Sequence, residues 1–334
     1  GNFRKKEKHM QATARAQPNI ALVKYWGKQT GGNNEPAVSS LSITLDTLWT
    51  RTHVRFDPQL PSDEFTLNGA RDPAQARRVI NGLEMMRNLK GIDTKAAVES
   101  ENNFPTGAGL ASSASGFAAL VTAVDAALEL SLETARLSSL ARRLSGSAAR
   151  SLFGGFVELW SLRPGEQESA AKPLLDAEDW PLEVVVAVVS EEAKVIGSTR
   201  GMELSRETSE YYAQWLNSAD YDMEVCRHAV MDRNFEGLAE ISERSCLKMH
   251  AVALATQPGL IYWQGPTIEC MHRIRQLRDG GTPVFFTVDA GPQVKAVCLP
   301  GHASAVAAEL DAVPGVKRTL ITGLGPGARV VQEG

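Results

Sequence analysis

The 334-residue sequence predicts an α+β protein of two domains. Three features carry that reading. Apolar and polar residues alternate with period two across residues 40–56, the signature of half-buried strands. An Ala-rich helical stretch occupies about residues 110–144. The second half then runs strand, helices, two adjacent strands, helix, strand, which is the order of a split βαβ, ferredoxin-like unit. The pattern is interrupted at Asp179-Trp180-Pro181, so domains of 1–180 and 181–334 are expected, each long enough for its own core.

The elements follow in order. Asn19–Lys28 reads as a short apolar strand (Ile20, Leu22, Val23) that ends in Lys24, Tyr25, Trp26 and Lys28. Ser40–Leu45 places Leu41, Ile43 and Leu45 on one face. In the next strand Leu48, Thr50, Thr52, Val54 and Phe56 oppose Trp49, Arg51, His53 and Arg55. Asn68-Gly69 is a turn signal, and Asp72-Pro73 opens a helix to about Leu89 with Asp72 as its cap. Lys95–Glu99 is a strand. Helices follow at about Leu110–Leu130 and Leu132–Leu144, then strands Phe156–Trp160 and Val184–Val189. The second half is helical from about Met202 to Ala255 and again over Pro266–Leu277. Strands Val284–Val288 and Val294–Leu299, helix His302–Asp311 and strand Val316–Ile321 complete the chain.

Composition narrows the function. At 43% apolar and 22% charged the chain is an ordinary globular sequence, and a net charge of −4 leaves no footprint for nucleic acid. Cys226, Cys246, Cys270 and Cys298 stand far apart with no Cys-x-x-Cys pair, so buried reduced thiols are expected rather than zinc or disulfides. The longest apolar run, Val184–Val189, is too short to span a bilayer. The basic start, residues 1–10, lacks the apolar stretch of a secretory signal. A cytoplasmic protein with neither membrane nor nucleic-acid partners is the expectation.

Four segments carry chemistry. Lys24 and Lys28 at the end of a strand suit either a solvated edge or an anion site. Asn103–Ser115 brings Gly107, Gly109 and the hydroxyls of Ser112 and Ser113 to the start of the Ala-rich helix, where backbone N–H groups favour anions. This is a plain glycine-rich helix start or a phosphate loop. It is not a dinucleotide fingerprint, because polar residues 101–106 separate the glycines from the strand, and it lacks the Gly-Lys-Ser/Thr of a Walker loop. Ser145-Gly146-Ser147-Ala148-Ala149-Arg150 is either a capping turn or a grip for a carboxylate or diphosphate. Asp289-Ala290-Gly291-Pro292 ends an apolar strand, where the carboxylate forms a turn or serves as a base.

Together the four resemble the diphosphomevalonate decarboxylases, ATP-dependent enzymes of the GHMP kinase superfamily, over about residues 18–327. Pro105–Ala114 matches the superfamily's Pro-x-x-x-Gly-Leu-x-Ser-Ser-Ala pattern. The resemblance implies a two-domain GHMP-kinase-type fold with a ferredoxin-like C-terminal domain and the active site in the cleft between domains. It implies ATP and Mg2+ as cofactors, 5-diphosphomevalonate as substrate and a homodimer. By the same resemblance Asp289 is the base at the 3-hydroxyl, Lys24 supports its charge, and Arg150 orients the departing carboxylate. Tyr25, Lys28, Arg78, Ser145, Ser147 and Ser198 would hold the substrate. Pro105, Gly107, Gly109, Leu110, Ala111, Ser112 and Ser113 would bind ATP, with Ser113 also reaching the metal. Arg77 stands beside Arg78 and a one-residue shift would exchange them. Departures from the family pattern are Leu144 for Gly, Ala149 for Cys, Gly197 for Ser and Gln293 for Asn. His250, a lone helical histidine, is given no catalytic role.

Overall fold

The computed structural model describes residues 10–104 and 112–332, so Pro105, Gly107, Gly109, Leu110 and Ala111 of the expected ATP loop lie outside the described residues. Three sheets organise the chain. The first holds β1 (Gln11–Ala16), β4 (Thr50–Phe56), β5 (Glu64–Leu67), β6 (Ala70–Arg71), β7 (Ala96–Asn102) and β14 (Arg329–Val331), in the order β14-β1-β4-β7-β5-β6. The second holds β2 (Asn19–Val23), β3 (Ser40–Thr44), β8 (Phe156–Leu159) and β9 (Lys172–Leu175) in that order. The third is antiparallel, with β10 (Glu183–Val188), β11 (Val284–Val288), β12 (Val294–Cys298) and β13 (Arg318–Gly323) in the order β11-β12-β10-β13. That strand order is the ferredoxin-like one expected from the sequence.

Local chemistry sets these elements. In β4 the alternation holds: Thr50, Thr52, Val54 and Phe56 are buried while Arg51, His53 and Arg55 are half-buried. Asn68 and Gly69, at φ of 51° and 76°, form the left-handed pair that a two-residue hairpin between β5 and β6 requires. Helix α1 (Pro73–Lys90) starts with Pro73 and with the Asp72 carboxylate accepting from Gln75 N at 3.1 Å, and stops at left-handed Gly91. Helix α2 (Ser112–Leu128) lies across β1 and β4 on fully buried Ala118, Ala119 and Ala123, small side chains that let backbone approach sheet. Helix α3 (Thr134–Leu144) completes that core with Leu137 and Leu140.

The second half supplies α4 (Ser198–Thr208), α5 (Tyr212–Met231), α6 (Phe235–Leu254), α7 (Gly265–Asp279) and α8 (Ala303–Asp311). Helices α5 and α6 pack against β2, and α6 also lies on β11. One apolar core therefore joins the halves, with Leu22, Leu41, Ile43 and Phe156 meeting Val184, Val186, Val230 and Phe285. We propose residue 180 as the main boundary, with β14 returning across it to pair with β1.

Some elements differ from expectation. The helical stretch 202–255 is three helices, and α6 restarts at Asn234, whose side chain accepts from Gly237 N at 3.0 Å. The breaks contain no Gly or Pro, so periodicity ran through them. Strands β1, β9 and β14 were not expected; pairing with distant segments rather than local pattern makes them strands.

The Arg87–Asp63 pair ties α1 to the edge of the first sheet. Arg87 donates to both Asp63 oxygens at 2.6 and 2.8 Å, and Asp63 also accepts from Ala96 N at 2.9 Å. Both side chains are at most 5% exposed. Arg87→Met should therefore lower stability by about 3 to 5 kcal/mol, since it leaves a buried carboxylate without its cation. Urea unfolding checks this; a loss below about 1 kcal/mol would show that water or another cation takes over the pairing.

Candidate active site

Two strand ends from different sheets meet at the centre of the site. Lys24 follows β2, whose register slips between Ala21 and Val23, a bulge that re-aims the strand end. Asp289 follows β11. Helix α6 holds both ends: Ser245 Oγ accepts from Lys24 N at 2.9 Å. One residue on, Cys246 Sγ accepts from Val288 N at 3.2 Å, and a turn later His250 Nε2 donates to the Val288 carbonyl at 3.0 Å. His250 is buried, which pushes it down to about 4, so it stays neutral and buttresses β11, consistent with the structural role expected of it.

Lys24 Nζ lies 2.6 Å from Asp289 Oδ1 and also donates to the Ala21 carbonyl at 2.7 Å. Lys295, on β12, meets Asp289 Oδ2 at 3.2 Å. Burial pushes the Asp289 carboxyl up, but the two ammonium groups overcome it and hold the acid well below the usual carboxylate range. Both lysines are almost wholly buried, whereas Asp289 keeps 28% of its side chain open to the cleft.

That cleft has a volume of about 600 Å3, within the range of small-molecule sites. Every described residue among those expected lines it: Lys24, Tyr25, Lys28, Arg78, Ser112, Ser113, Ser145, Ser147, Arg150, Ser198 and Asp289. Ser145 caps α3 and opens a 3-10 turn, Gly146–Leu152, with its hydroxyl 3.3 Å from Ser113 Oγ and 3.4 Å from Ser147 Oγ. A side chain at Gly146 would sit 2.1 Å from Tyr25 Oη, so glycine lets the phenol lie against that turn. Burial raises the Tyr25 pKa, keeping it a neutral donor. Arg78 faces the cleft, stacked on Phe117 and donating to the Leu144 carbonyl at 2.6 Å, while Arg77 is exposed. Ser198 and Thr199, the first residues of α4, also line the cleft.

Arg150 is 2% exposed and, among the described residues, bonds only neutral oxygens, Ser40 Oγ at 2.7 Å and Asn19 Oδ1 at 3.1 and 3.2 Å. Burial pushes it down to about 10, partly opposed by the Asp289 charge, so it remains a cation. A buried guanidinium without a paired carboxylate among the described residues calls for an anion from outside. The lining shows the same need. Among the described residues Lys24, Lys28, Arg78, Arg150, Lys194 and Arg200 face only Asp289 and Glu203, in a chain of net charge −4.

Sequence reasoning missed Asn19, Lys194 and Lys295. Lys295 left a signal, a charge inside the apolar strand Val294–Cys298, and Asn19 and Lys194 left none. Gln293 turns away from ligand chemistry: its Oε1 accepts from Val189 N at 2.7 Å and its amide donates to the Ser190 carbonyl, tying the Asp289 turn to β10. Among the described residues no cluster of His, Cys, Asp and Glu could hold a metal ion, and no helix is long and apolar enough to cross a membrane.

Comparison with known proteins identifies the family. Residues 16–171 match the model of the diphosphomevalonate decarboxylase-like N-terminal domain, and residues 184–322 that of the mevalonate 5-diphosphate decarboxylase C-terminal domain. The diphosphomevalonate decarboxylase of Candida albicans is 35% identical over 96% of this chain and 98% of its own. Among solved structures, mevalonate diphosphate decarboxylase from Staphylococcus aureus superposes with a TM-score of 0.91 at 36% identity, covering 98% of this chain and 99% of that one. A protein designated MDDEF, solved with MVAPP, AMPPCP and magnesium, gives 0.90 at 37% identity over 97% of this chain and 100% of that one.

Lys28 gives the cleft a testable pH dependence. Burial and neighbouring Arg78 push its ammonium down to about 8, against a smaller opposing pull from Glu203. Below that pH it is a cation and attracts phosphate; above it the charge is lost. Calorimetric affinity for inorganic diphosphate should therefore fall as pH rises through about 8. Lys28→Arg should hold affinity to higher pH, because guanidinium stays charged. An identical pH profile in the Arg variant would remove Lys28 from anion binding.

Proposed function

The chain belongs to the diphosphomevalonate decarboxylase family, and from that premise we propose the work of its cleft. With ATP and Mg2+ it converts (R)-5-diphosphomevalonate into isopentenyl diphosphate, ADP, phosphate and carbon dioxide, a step of the mevalonate pathway. The observation that carries the reading is the buried Arg150, a cation with neutral partners in the same cleft as the Lys24–Asp289 pair. A phosphotransferase needs the pair; the second, carboxylate-sized demand for an anion belongs to decarboxylation.

The tertiary 3-hydroxyl is a poor leaving group, so it is first phosphorylated. Its oxygen attacks the terminal phosphorus of ATP, and ADP leaves in line. Asp289 accepts the hydroxyl's hydrogen bond. Because its two lysines make it a weak base, it takes the proton as the new P–O bond forms rather than beforehand. Lys24 shields the charge between carboxylate and phosphoryl group. The C–O bond then breaks to release phosphate, and the electron pair of the bond to the carboxylate carbon forms the new double bond as carbon dioxide leaves. Arg150 aligns that carboxylate through a planar, two-pronged contact.

Lys28, Arg78, Tyr25, Ser145, Ser147 and Ser198 hold the substrate diphosphate and its chain, while Ser112 and Ser113 at the start of α2 receive nucleotide phosphates. The donor set fits magnesium brought by phosphates: hydroxyls are present and a carboxylate cage is absent among the described residues. Ser113 would hold it, and the ion would supply neutralisation of phosphate charge. The four buried, unbridged cysteines support a reducing, cytoplasmic setting. The homodimer rests on the family resemblance alone, and sedimentation would test it.

The direct experiment supplies ATP, magnesium and, separately, mevalonate, its 5-phosphate and its 5-diphosphate. The 5-diphosphate should give ADP and carbon dioxide in equal amounts. ADP without carbon dioxide would make the protein a kinase, and turnover confined to another acceptor would move the substrate assignment.

A further inference from the structure

Lys295 is a cation that charge balance at Asp289 does not need. Lys24 already neutralises that carboxylate at 2.6 Å. Lys295 nonetheless sits inside β12, its second residue, 2% exposed and directly opposite Val186 on β10 and Thr287 on β11. Its face of the sheet is the one that Val184, Val186, Phe285 and Val297 pack into the shared apolar core. An apolar side chain would cost far less there than an ammonium. Strand register explains what the charge reaches: Asp289 lies two residues beyond Thr287, so Lys295 and Asp289 form a diagonal pair across the hairpin, within reach of a long side chain.

We propose that Lys295 is a positioning residue for the phosphoryl transfer, holding Asp289 by Oδ2 so that Lys24 is free to share its charge with the transferring group. The inference rests on the decarboxylase reading and deepens it. With one lysine, the carboxylate would lose its anchor whenever phosphate drew that ammonium away. With two on opposite oxygens, one stays on Asp289 throughout. The arrangement also holds the triad at a net single positive charge, which suits a site of converging phosphates. The charged and titratable groups around Asp289 are Lys24 after β2, Lys295 on β12, Arg150 on the 3-10 turn, Lys194 in the loop after β10, and Cys246 and His250 on α6. Burial keeps the thiol protonated and the imidazole neutral, so the lysines and Arg150 set the local charge.

The test compares wild type, Lys295→Met and Lys295→Arg by pH-dependent kinetics of ADP and carbon dioxide release. Met nearly matches the lysine stem and suits the apolar neighbours, and Lys295→Gln serves as a second neutral variant should Met fail to fold. The neutral variant should lose about 10- to 100-fold in kcat, the scale on which supporting partners of a reactive group count. Both KM values should change little. The acid limb of its pH profile should move to higher pH, because a carboxylate that loses a cation becomes easier to protonate. The Arg variant should restore the limb. A neutral variant within about twofold of wild-type kcat, or one with an unmoved acid limb, overturns the proposal and leaves Lys295 structural. Wild type that releases no carbon dioxide overturns the decarboxylase reading instead, so the two failures are distinct.

Discussion

The contact between Lys24 and Asp289 is the constraint on which the rest of the site depends. It joins the end of β2 in one sheet to the end of β11 in another, 265 residues apart in sequence. Neither strand reaches the other through backbone pairing, so the distance is set by what lies behind them. Helix α6 does this with Ser245 on one end and Cys246 and His250 on the other. The shared apolar core presses that helix against both strands. Three polar contacts on a little over one helical turn thus convert packing into the position of a reactive carboxylate. Catalytic groups fixed in this way lose little freedom when substrate arrives.

Charge is distributed by the same logic. The chain as a whole is mildly acidic, yet its cleft gathers six cations against two carboxylates among the described residues. Such a concentration is unfavourable in the free protein: burial pushes Lys28, Arg78, Lys194 and Arg150 all below their ordinary values. Polyanionic ligands relieve that cost, so part of the binding free energy is stored in the folded protein as repulsion and desolvation. Asp289 is the exception, and in the proposed mechanism it is the base. Its lysines keep it ionised among phosphates that would otherwise drive it to bind a proton.

Much of this was readable from the chain because the residues concerned sit in short local patterns. Lys24 ends a strand, Asp289 ends another before Gly-Pro, and Ser145–Arg150 is a compact polar turn; all of them line one cleft. The ferredoxin-like order followed from element order alone, since strand and helix periods are local properties. What escaped depends on distant pairing. Strand β1 forms by pairing along its whole length with β4, and the short β14 by pairing with β1 across the whole chain. Asn19 acquires its role from Arg150 and Ser151, residues it meets only in the fold. Lys295 showed only as a charge in an apolar strand, and its partner could be read only from the hairpin register. The helix breaks near Ser209 and Asp232 were hidden because neither contains Gly or Pro.

The proposed mechanism requires Asp289 as a group used in the transition state. Steady-state kinetics of Asp289→Asn, with a melting curve to establish folding, test this most directly. The amide keeps the shape and much of the hydrogen bonding, so KM for substrate and ATP should change little. Turnover should fall by about 10² to 10⁴, the usual worth of a positioned acid or base. A folded Asn variant that turns over within about threefold of wild type would contradict the account and return Asp289 to the role of a turn residue paired with two lysines.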